Sequence, residues 1–477
     1  MSNHGVKVGK RTFISAVLIL ACLIIIAGVL THLVPGGEFQ REIADGREII
    51  VPGTFRYTEA KGLPVWRWFT APVEVLWGPD SLMIISIILF ILIIGGAFAI
   101  LDETGVLAAA IGNVVAALGH RKYLLLGIIT LFFMLFGSLL GILEEIVPLV
   151  PLAVALAWSL GWDSLTGLGM SLLATGFGFA AGISNPFSIG VAQRIANLPP
   201  FSGAGFRAGV FVLVYLVLMV FLVRHAKRVE KNPQVSPVWQ EDAHARATEG
   251  SRDLQMAKAE KASLIWFACT LLAILGLIIT ASQIPGLSDY TMPLVALLFL
   301  IGGLGAGLLA KRGWKVFQTF ARGAMGILPG TVLILMAMSV KYIITSGGIM
   351  DTVLHQASEV ISQTSAAGAS LLIYVVVLVL NFFIGSATAK AFLVMPLITP
   401  LADLVGVTRQ VAVLAFAFGD GFSNVLYPTN PVLLIALGLT VVSYPKWFRW
   451  VIGLQLAVLA LTALLLLAAV AINLGPF

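Results

Sequence analysis

Runs of about 20 apolar residues recur along this chain, and that is the length a helix needs to cross roughly 30 Å of hydrocarbon. Runs at residues 12–34, 81–101, 206–223, 264–281, 292–309, 327–344 and 448–474, without a matched Gly-Ser or Asn-Pro break, predict simple transmembrane helices. The first is too long for a signal-peptide core and no small-residue cleavage site follows it, so it counts as a span. Residues 105–118 and 350–361 are shorter and predict helices lying along the two interfaces. Between Pro35-Gly36-Gly37 and Pro79 the pattern predicts a mixed-charge loop, with Trp66, Trp68 and Trp77 as interfacial anchors.

The remaining apolar segments are interrupted, and the interruptions repeat. Gly137-Ser138 is followed eleven residues later by Pro148, in GSLLGILEEIVPLVPL, and Gly385-Ser386 is followed eleven residues later by Pro396, in GSATAKAFLVMPLITPL. Both matched pairs lie 248 positions apart, and Ser184-Asn185-Pro186 matches Thr429-Asn430-Pro431 at an offset of 245. Half-length helices meeting at a break read as re-entrant hairpins at residues 122–160 and 370–404, followed by broken helices at 165–197 and 411–439. Irregular backbone at membrane depth is tolerated only where it faces protein or a wet cavity. Glycine and proline interruptions at corresponding positions of two halves point to the binding site of a secondary transporter. The predicted fold is all-α and polytopic, with about nine transmembrane helices and two opposed hairpins in an inverted repeat.

Orientation follows from the basic flanks. Lys7, Lys10 and Arg11 place the N-terminus in the cytoplasm. If residues 123–160 enter and leave on the cytoplasmic side, the stretch from 224 to 262 also falls inside. It carries Arg224, Lys227, Arg228, Lys231, Arg246, Arg252, Lys258 and Lys261, as the positive-inside tendency requires. This polar stretch, with Pro233 and Pro237, is the expected linker between a first repeat at 1–223 and a second at 263–477, partly helical from Asp253 to Lys261. The second repeat then runs upside down and leaves the C-terminus outside.

Composition sharpens the class. Hydrophobic residues make up 59% of 477, charged residues 11%, and mean hydropathy is +1.00, which excludes a soluble domain. The net charge of +6 belongs to the loops rather than to a nucleic-acid surface. Cys22 and Cys269 lie in apolar runs and do not make a disulfide framework. A His-Glu-x-x-His zinc motif, a Gly-x-Ser-x-Gly elbow and a Walker loop are all missing, so a carrier is favoured over an enzyme, and also over a channel or scaffold.

The candidate chemistry sits at the interruptions. Pro186 and Pro431 withhold amide donors and disfavour helix at the preceding residues, which frees nearby carbonyls. With Ser184, Asn185, Thr429 and Asn430 these could hold a substrate carboxylate or a coupling ion; a bare proline kink is the competing reading of each break. Ionisable groups at membrane depth are costly and tend to be functional. Glu144 and Glu145 follow the first Gly-Ser pair, Thr388 and Lys390 the second, and Asp420, Ser423 and Asn424 precede the second break. Adjacent helical glutamates point about 100° apart, so at most one faces a pocket, as partner to a substrate amino group or a proton carrier. The other readings are a structural ion pair for the glutamates and, for Lys390, a snorkelling residue or a counter-ion to Glu144.

The run GSATAKAFLVMPLITPLADLVGVTRQ, with GILEEIVPLVPL and SNP before it, resembles the YfcC branch of the C4-dicarboxylate anaerobic carrier family, in the ion transporter superfamily. The resemblance spans essentially the whole chain. It implies a bacterial inner-membrane carrier of dicarboxylates or, on this branch, basic amino acids, working as a homodimer by an elevator mechanism. It further implies sodium near Ser138, Asn185, Ser386 and Asn430, although strict Ser-Asn-Thr motifs are absent at the tips and breaks. No organic cofactor is expected, only a coupling Na+ or H+. Carboxylates on one hairpin and an ammonium on the other rank amino acids, by symport or antiport, ahead of dicarboxylates or other organic anions.

Overall fold

The computed structural model describes residues 10–44, 47–59, 62–249, 258–281, 284 and 290–475. In chain order its helices are α1 (Lys10–Leu33), α2 (Val65–Glu74), α3 (Ser81–Glu103), α4 (Val106–Leu118), α5 (Lys122–Leu135), α6 (Val150–Ser159), α7 (Ser164–Leu168), α8 (Ala174–Ala180), α9 (Val191–Ile195) and α10 (Ala204–Lys231). There follow α11 (Trp239–Glu249), α12 (Lys258–Ala281), α13 (Thr291–Leu309), α14 (Lys315–Ser346), α15 (Met350–Ser362), α16 (Ala366–Leu380), α17 (Ala387–Leu404), α18 (Arg409–Gly421), α19 (Pro431–Gly438) and α20 (Tyr444–Ala471).

Nine helical stretches among the described residues are long and apolar enough to cross a membrane, so the chain is a multi-pass membrane protein. The number matches the expectation, but the membership differs. Gly119–Leu140 and Ala387–Leu404, arms of the expected hairpins, meet the length criterion, whereas neither broken helix does. Helix α14 begins twelve residues before the expected 327 and absorbs Pro329 in its interior, with Thr319 Oγ1 donating to Glu103 Oε2 at 2.7 Å.

Two packed groups emerge. Helices α1, α3, α12, α13 and α14 form a bundle whose close approaches rest on small residues. A Cβ on Gly323 would lie 2.4 Å from the Gly95 carbonyl oxygen, and one on Gly303 would lie 2.8 Å from Ala97 Cα. The second group gathers α5 to α8, α10, α16 to α18 and α20. Every residue of Ser164–Ala180 and of Gln410–Gly421 is buried, which is the condition under which a helix can be apolar on all sides.

The stretch expected to be a loop before α3 is folded. Two antiparallel pairs form, Gly37–Glu38 with Arg56–Tyr57 and Arg41–Ala44 with Arg47–Ile50, followed by α2. Trp66 and Trp77 are exposed, as interfacial anchors would be, but Trp68 is buried. Its ring covers Gly28 of α1, and its Nε1 donates to the Leu63 carbonyl at 2.9 Å. Here Trp68 is core because α1 offers a glycine wide enough to accept an indole.

The expected linker is also ordered where it is described, while its residues 250–257, including most of the helix expected from Asp253, lie outside the described set. Asp163 caps α7 and accepts from Thr166 N at 2.9 Å, from Ser236 Oγ at 2.6 Å and from His225 Nε2 at 2.9 Å. Trp450 Nε1 donates to His225 Nδ1 at 3.1 Å, which leaves Nε2–H as the donor to Asp163. Helix α11 docks beside this cluster: Asp242 accepts from Ser164 N at 2.9 Å and Oγ at 2.5 Å, Arg246 donates to the Trp162 carbonyl, and Lys446 meets Glu241 at 2.5 Å. Burial pushes the Asp242 carboxyl up to about 6, against the pull of Ser164. For Asp163 burial acts upward too, but His225, Ser236 and Thr166 together hold it below the usual range.

Candidate functional site

The first interruption unit links a helix reversal to a helix break. Gly137 and Ser138 lie in a wide turn, Phe136–Leu140, that still continues α5. The reversal comes slightly later, at Gly141, whose φ of +68° favours glycine. A Cβ there would sit 2.2 Å from Asn185 Oδ1. Ser138 binds the break directly, since its Oγ donates to the Ala181 carbonyl at 2.9 Å and its carbonyl accepts from Ile183 N at 3.1 Å and Ser184 N at 3.2 Å. Ser184 Oγ returns a bond to the Leu139 carbonyl at 3.2 Å. Pro186 opens the next helical turn, and Asn185 caps it by accepting from Phe187 N at 2.9 Å and Ser188 N at 3.2 Å.

In the second unit Gly385 and Ser386 occupy the reversal itself. Gly385 is exposed with open space around it, and Ser386 caps α17 by accepting from Ala389 N at 3.3 Å. Thr429 Oγ1 donates to the Phe382 carbonyl at 2.6 Å, and Asn430 caps α19 through Val432 N at 2.9 Å. One turn into α17, Lys390 is fully buried. Its Nζ meets Asp420 Oδ1 at 2.7 Å and also donates to Asn381 Oδ1. Asn381 in turn donates to Ser423 Oγ at 2.7 Å and Asn424 Oδ1 at 2.9 Å, and Asn430 Nδ2 donates to the same Asn424 oxygen at 3.1 Å. Lys390 therefore neither snorkels nor pairs with Glu144.

The two units converge. Thr388 Oγ1 donates to the Phe187 carbonyl at 3.0 Å, joining α17 to the first break. The broken helices cross where a Cβ on Gly421 would lie 2.3 Å from Ala180 Cα, flanked by the rings of Phe177 and Phe422 at 5.6 Å. Arg207, also buried, braces the first break by donating to the Ile183 carbonyl at 2.8 Å and to the Ser202 carbonyl at 2.7 Å.

Glu144 and Glu145 fall in the first reversal, partly buried and without an ion-pair partner among the described residues. Among the described residues, Glu145 is the sole ionisable side chain lining an apolar cavity of about 320 Å³. That cavity runs between α4, α5 and α6 on one side and α12 and α13 on the other, along the seam between the two helix groups. Asn185 and Asn430 do not line it.

Sequence reasoning missed Asn381 and Arg207. Asn381 had a signal, a lone carboxamide closing the apolar run LLIYVVVLVL four residues before Gly385. Arg207 gave no such signal, being a single charge at the start of the apolar run at 206–223. The oxygens expected to hold sodium are engaged otherwise: Asn185, Asn430 and Ser386 accept from backbone amides, as does Ser138 Oγ from Ile183 N at 3.0 Å. The carboxylate at the second break already faces an ammonium.

The model of the C4-dicarboxylate anaerobic carriers matches residues 13–471. The chain belongs to that family. It is 31% identical over 474 residues, 91% of each chain, to the Escherichia coli (strain K12) protein YfcC, whose name proposes it as a basic amino acid antiporter. It is 24% identical over 432 residues to an uncharacterised Haemophilus influenzae protein, covering 89% of this chain and 82% of that one. Two solved transporters align over nearly the whole length: the Neisseria gonorrhoeae efflux pump MtrF, at 18% identity, TM-score 0.44 and 96% of both chains, and Alcanivorax borkumensis YdaH, at 17%, TM-score 0.42, 97% of this chain and 99% of that one. At such scores neither likeness bears on fold or function. Membership of a carrier family sets the protein among transporters rather than enzymes.

Proposed function

We propose that this protein exchanges basic or zwitterionic amino acids across the bacterial inner membrane by alternating access. The pairing of Lys390 with Asp420 carries the substrate class. It neutralises the ammonium at the second break, and Arg207 is turned onto backbone carbonyls, so neither of these two cations is offered to the second carboxylate of a dianion. Glu144 and Glu145 have no basic partner among the described residues and suit a substrate that brings an amino group. In this reading the polar groups around Asn185 and Asn430 receive the single carboxylate, and Glu145 receives the ammonium or a proton. The YfcC name points the same way.

The bundle of α1, α3 and α12 to α14 is the stationary part and the centre of a homodimer, as the superfamily resemblance implies. The broken helices and hairpins move against it as a body, two inverted halves giving inward- and outward-open states of similar energy. The basic end of α10 and the docked linker lie in the cytoplasm, with the N-terminus inside and the C-terminus outside.

Counterflow in proteoliposomes tests this. Vesicles loaded with unlabelled arginine should accumulate labelled arginine transiently, and vesicles loaded with succinate should not accumulate labelled succinate. Succinate counterflow without arginine or neutral amino acid counterflow would transfer the protein to the organic anions.

A further inference from the structure

Lys390 and Asp420 do more than neutralise each other. The Lys390 ammonium is fully buried and is held by a carboxylate oxygen, Asp420 Oδ1, and a carboxamide oxygen, Asn381 Oδ1. Clusters of oxygen donors are what hard cations take, and transporters form such clusters from unwound helices. Asp420 ends the helix that runs into the second break, and Lys390 opens the hairpin arm that follows the second reversal. Asp420 Oδ2 is buried and has no hydrogen-bond partner among the described residues, so the carboxylate has capacity beyond the one ammonium.

The first half supplies an internal comparison. Applying the repeat offsets, Asn381, Lys390 and Asp420 correspond to Phe133, Ile142 and Thr175, while Asn430 corresponds to Asn185. Both halves keep the capping asparagine, yet at these matched positions the second alone carries a carboxylate and an ammonium. A buried ion pair placed for stability alone gains little, because desolvation offsets its attraction and apolar residues of similar volume serve as well. This pair is tied through Asn381 and Asn424 to Asn430, and so to the break itself.

We infer that the Lys390 ammonium is a tethered cation occupying the ion site of the second half, so that this carrier works without sodium. Asp420 and Asn381 form the site, and the charge that a coupling ion would bring is supplied by the chain. Removing the Lys390 side chain leaves an unpaired buried carboxylate and vacates space for a free cation. This inference rests on the carrier reading above, but its first test does not need a substrate.

Purified protein is melted in sodium chloride and in choline chloride. The wild type should melt at the same temperature in both. Lys390→Ala should gain a sodium-dependent rise of about 2 °C or more at 100 mM, absent from the Lys390→Ala, Asp420→Asn double variant. A wild-type rise equal to that of the variant, or a folded Lys390→Ala indifferent to sodium, overturns the inference. Should Lys390→Ala fail to fold, wild-type arginine counterflow decides: equal rates in sodium and in choline support the tethered cation, and a rate lost in choline refutes it. If neither arginine nor succinate counterflow is seen in any salt, the proposed function fails while the melting comparison still stands.

Discussion

Lys390 and Asp420 lie 30 positions apart in sequence, yet their side chains meet at 2.7 Å with neither exposed to solvent. The contact bridges the hairpin arm α17 and the broken helix α18, so hairpin and break are bound as one body. On the first side the same work is done by neutral bonds, from Ser138 to Ala181 and from Ile183 and Ser184 to Ser138. These two ties divide the molecule into parts that should respond differently to mutation.

Gly137 and Gly385 are matched in sequence and should behave oppositely. A Cβ on Gly137 would lie 2.2 Å from the Thr175 carbonyl oxygen, and one on Gly178 would lie 1.9 Å from that of Met134, so α5 and α8 would have to separate. Gly137→Ala and Gly178→Ala should each cost about 1 to 3 kcal/mol, read as a lower melting temperature in detergent. Gly385→Ala meets nothing within 4 Å and should melt within about 0.5 kcal/mol of wild type.

Asn185 and Asn430 carry a structural role and a proposed binding role that one substitution can separate. Replacement by alanine removes a cap worth about 1 kcal/mol, up to about 2. It also weakens substrate binding about 5- to 150-fold by leaving a buried partner unsatisfied. Serine caps nearly as well as asparagine, so Asn430→Ser should recover the melting temperature but not the affinity in equilibrium binding. Recovery of both would confine Asn430 to capping.

The two glutamates differ in what they face. Glu145 lines the apolar cavity along the seam between the helix groups, and Glu144 does not. Glu145→Gln should abolish exchange or flatten its pH profile, whereas Glu144→Gln should mainly lower expression. Wild-type rates and pH profiles in both purified variants would remove the pair from the mechanism.

Linker docking should strengthen in mild acid. Asp242 has its folded pKa raised by burial to about 6, above an ordinary value of about 3.9, so its neutral form favours the fold. Its contribution is full below about pH 4 and is lost as pH rises through 6, at no more than about 1.4 kcal/mol per unit. Asp163 is shifted downward and acts only below pH 4. Melting temperature should therefore rise from pH 7 to pH 5 in the wild type, and that rise should shrink in Asp242→Asn.

The proposed inverted repeat predicts opposite accessibility for its two hairpins. Cysteine at Arg121 should react with an impermeant thiol reagent from the cytoplasmic side alone, and cysteine at Ala366 from outside alone. Labelling of both from one side would refute the inverted repeat.

Much of this molecule was legible in one dimension because the membrane makes length and apolarity decisive. The simple spans, the segments that break, and Asn185 and Asn430 as the residues at the breaks all follow from runs of apolar residues and from prolines that cannot donate. Gly141, rather than Gly137-Ser138, makes the first reversal, because the wide turn at Phe136–Leu140 keeps α5 going for one more turn. What lay beyond the sequence were contacts between segments with no fixed spacing. Trp68 becomes core because Gly28 of another helix leaves room for it, and α11 is docked because the Ser164 amide and hydroxyl sit where they can donate to Asp242. Lys390 finds Asp420 and Asn381 rather than water because α16, α17 and α18 pack into one body. Apolar length fixes which segments enter the membrane, whereas the partner of a buried charge is chosen by packing, which places chemically matched groups together whatever their distance along the chain.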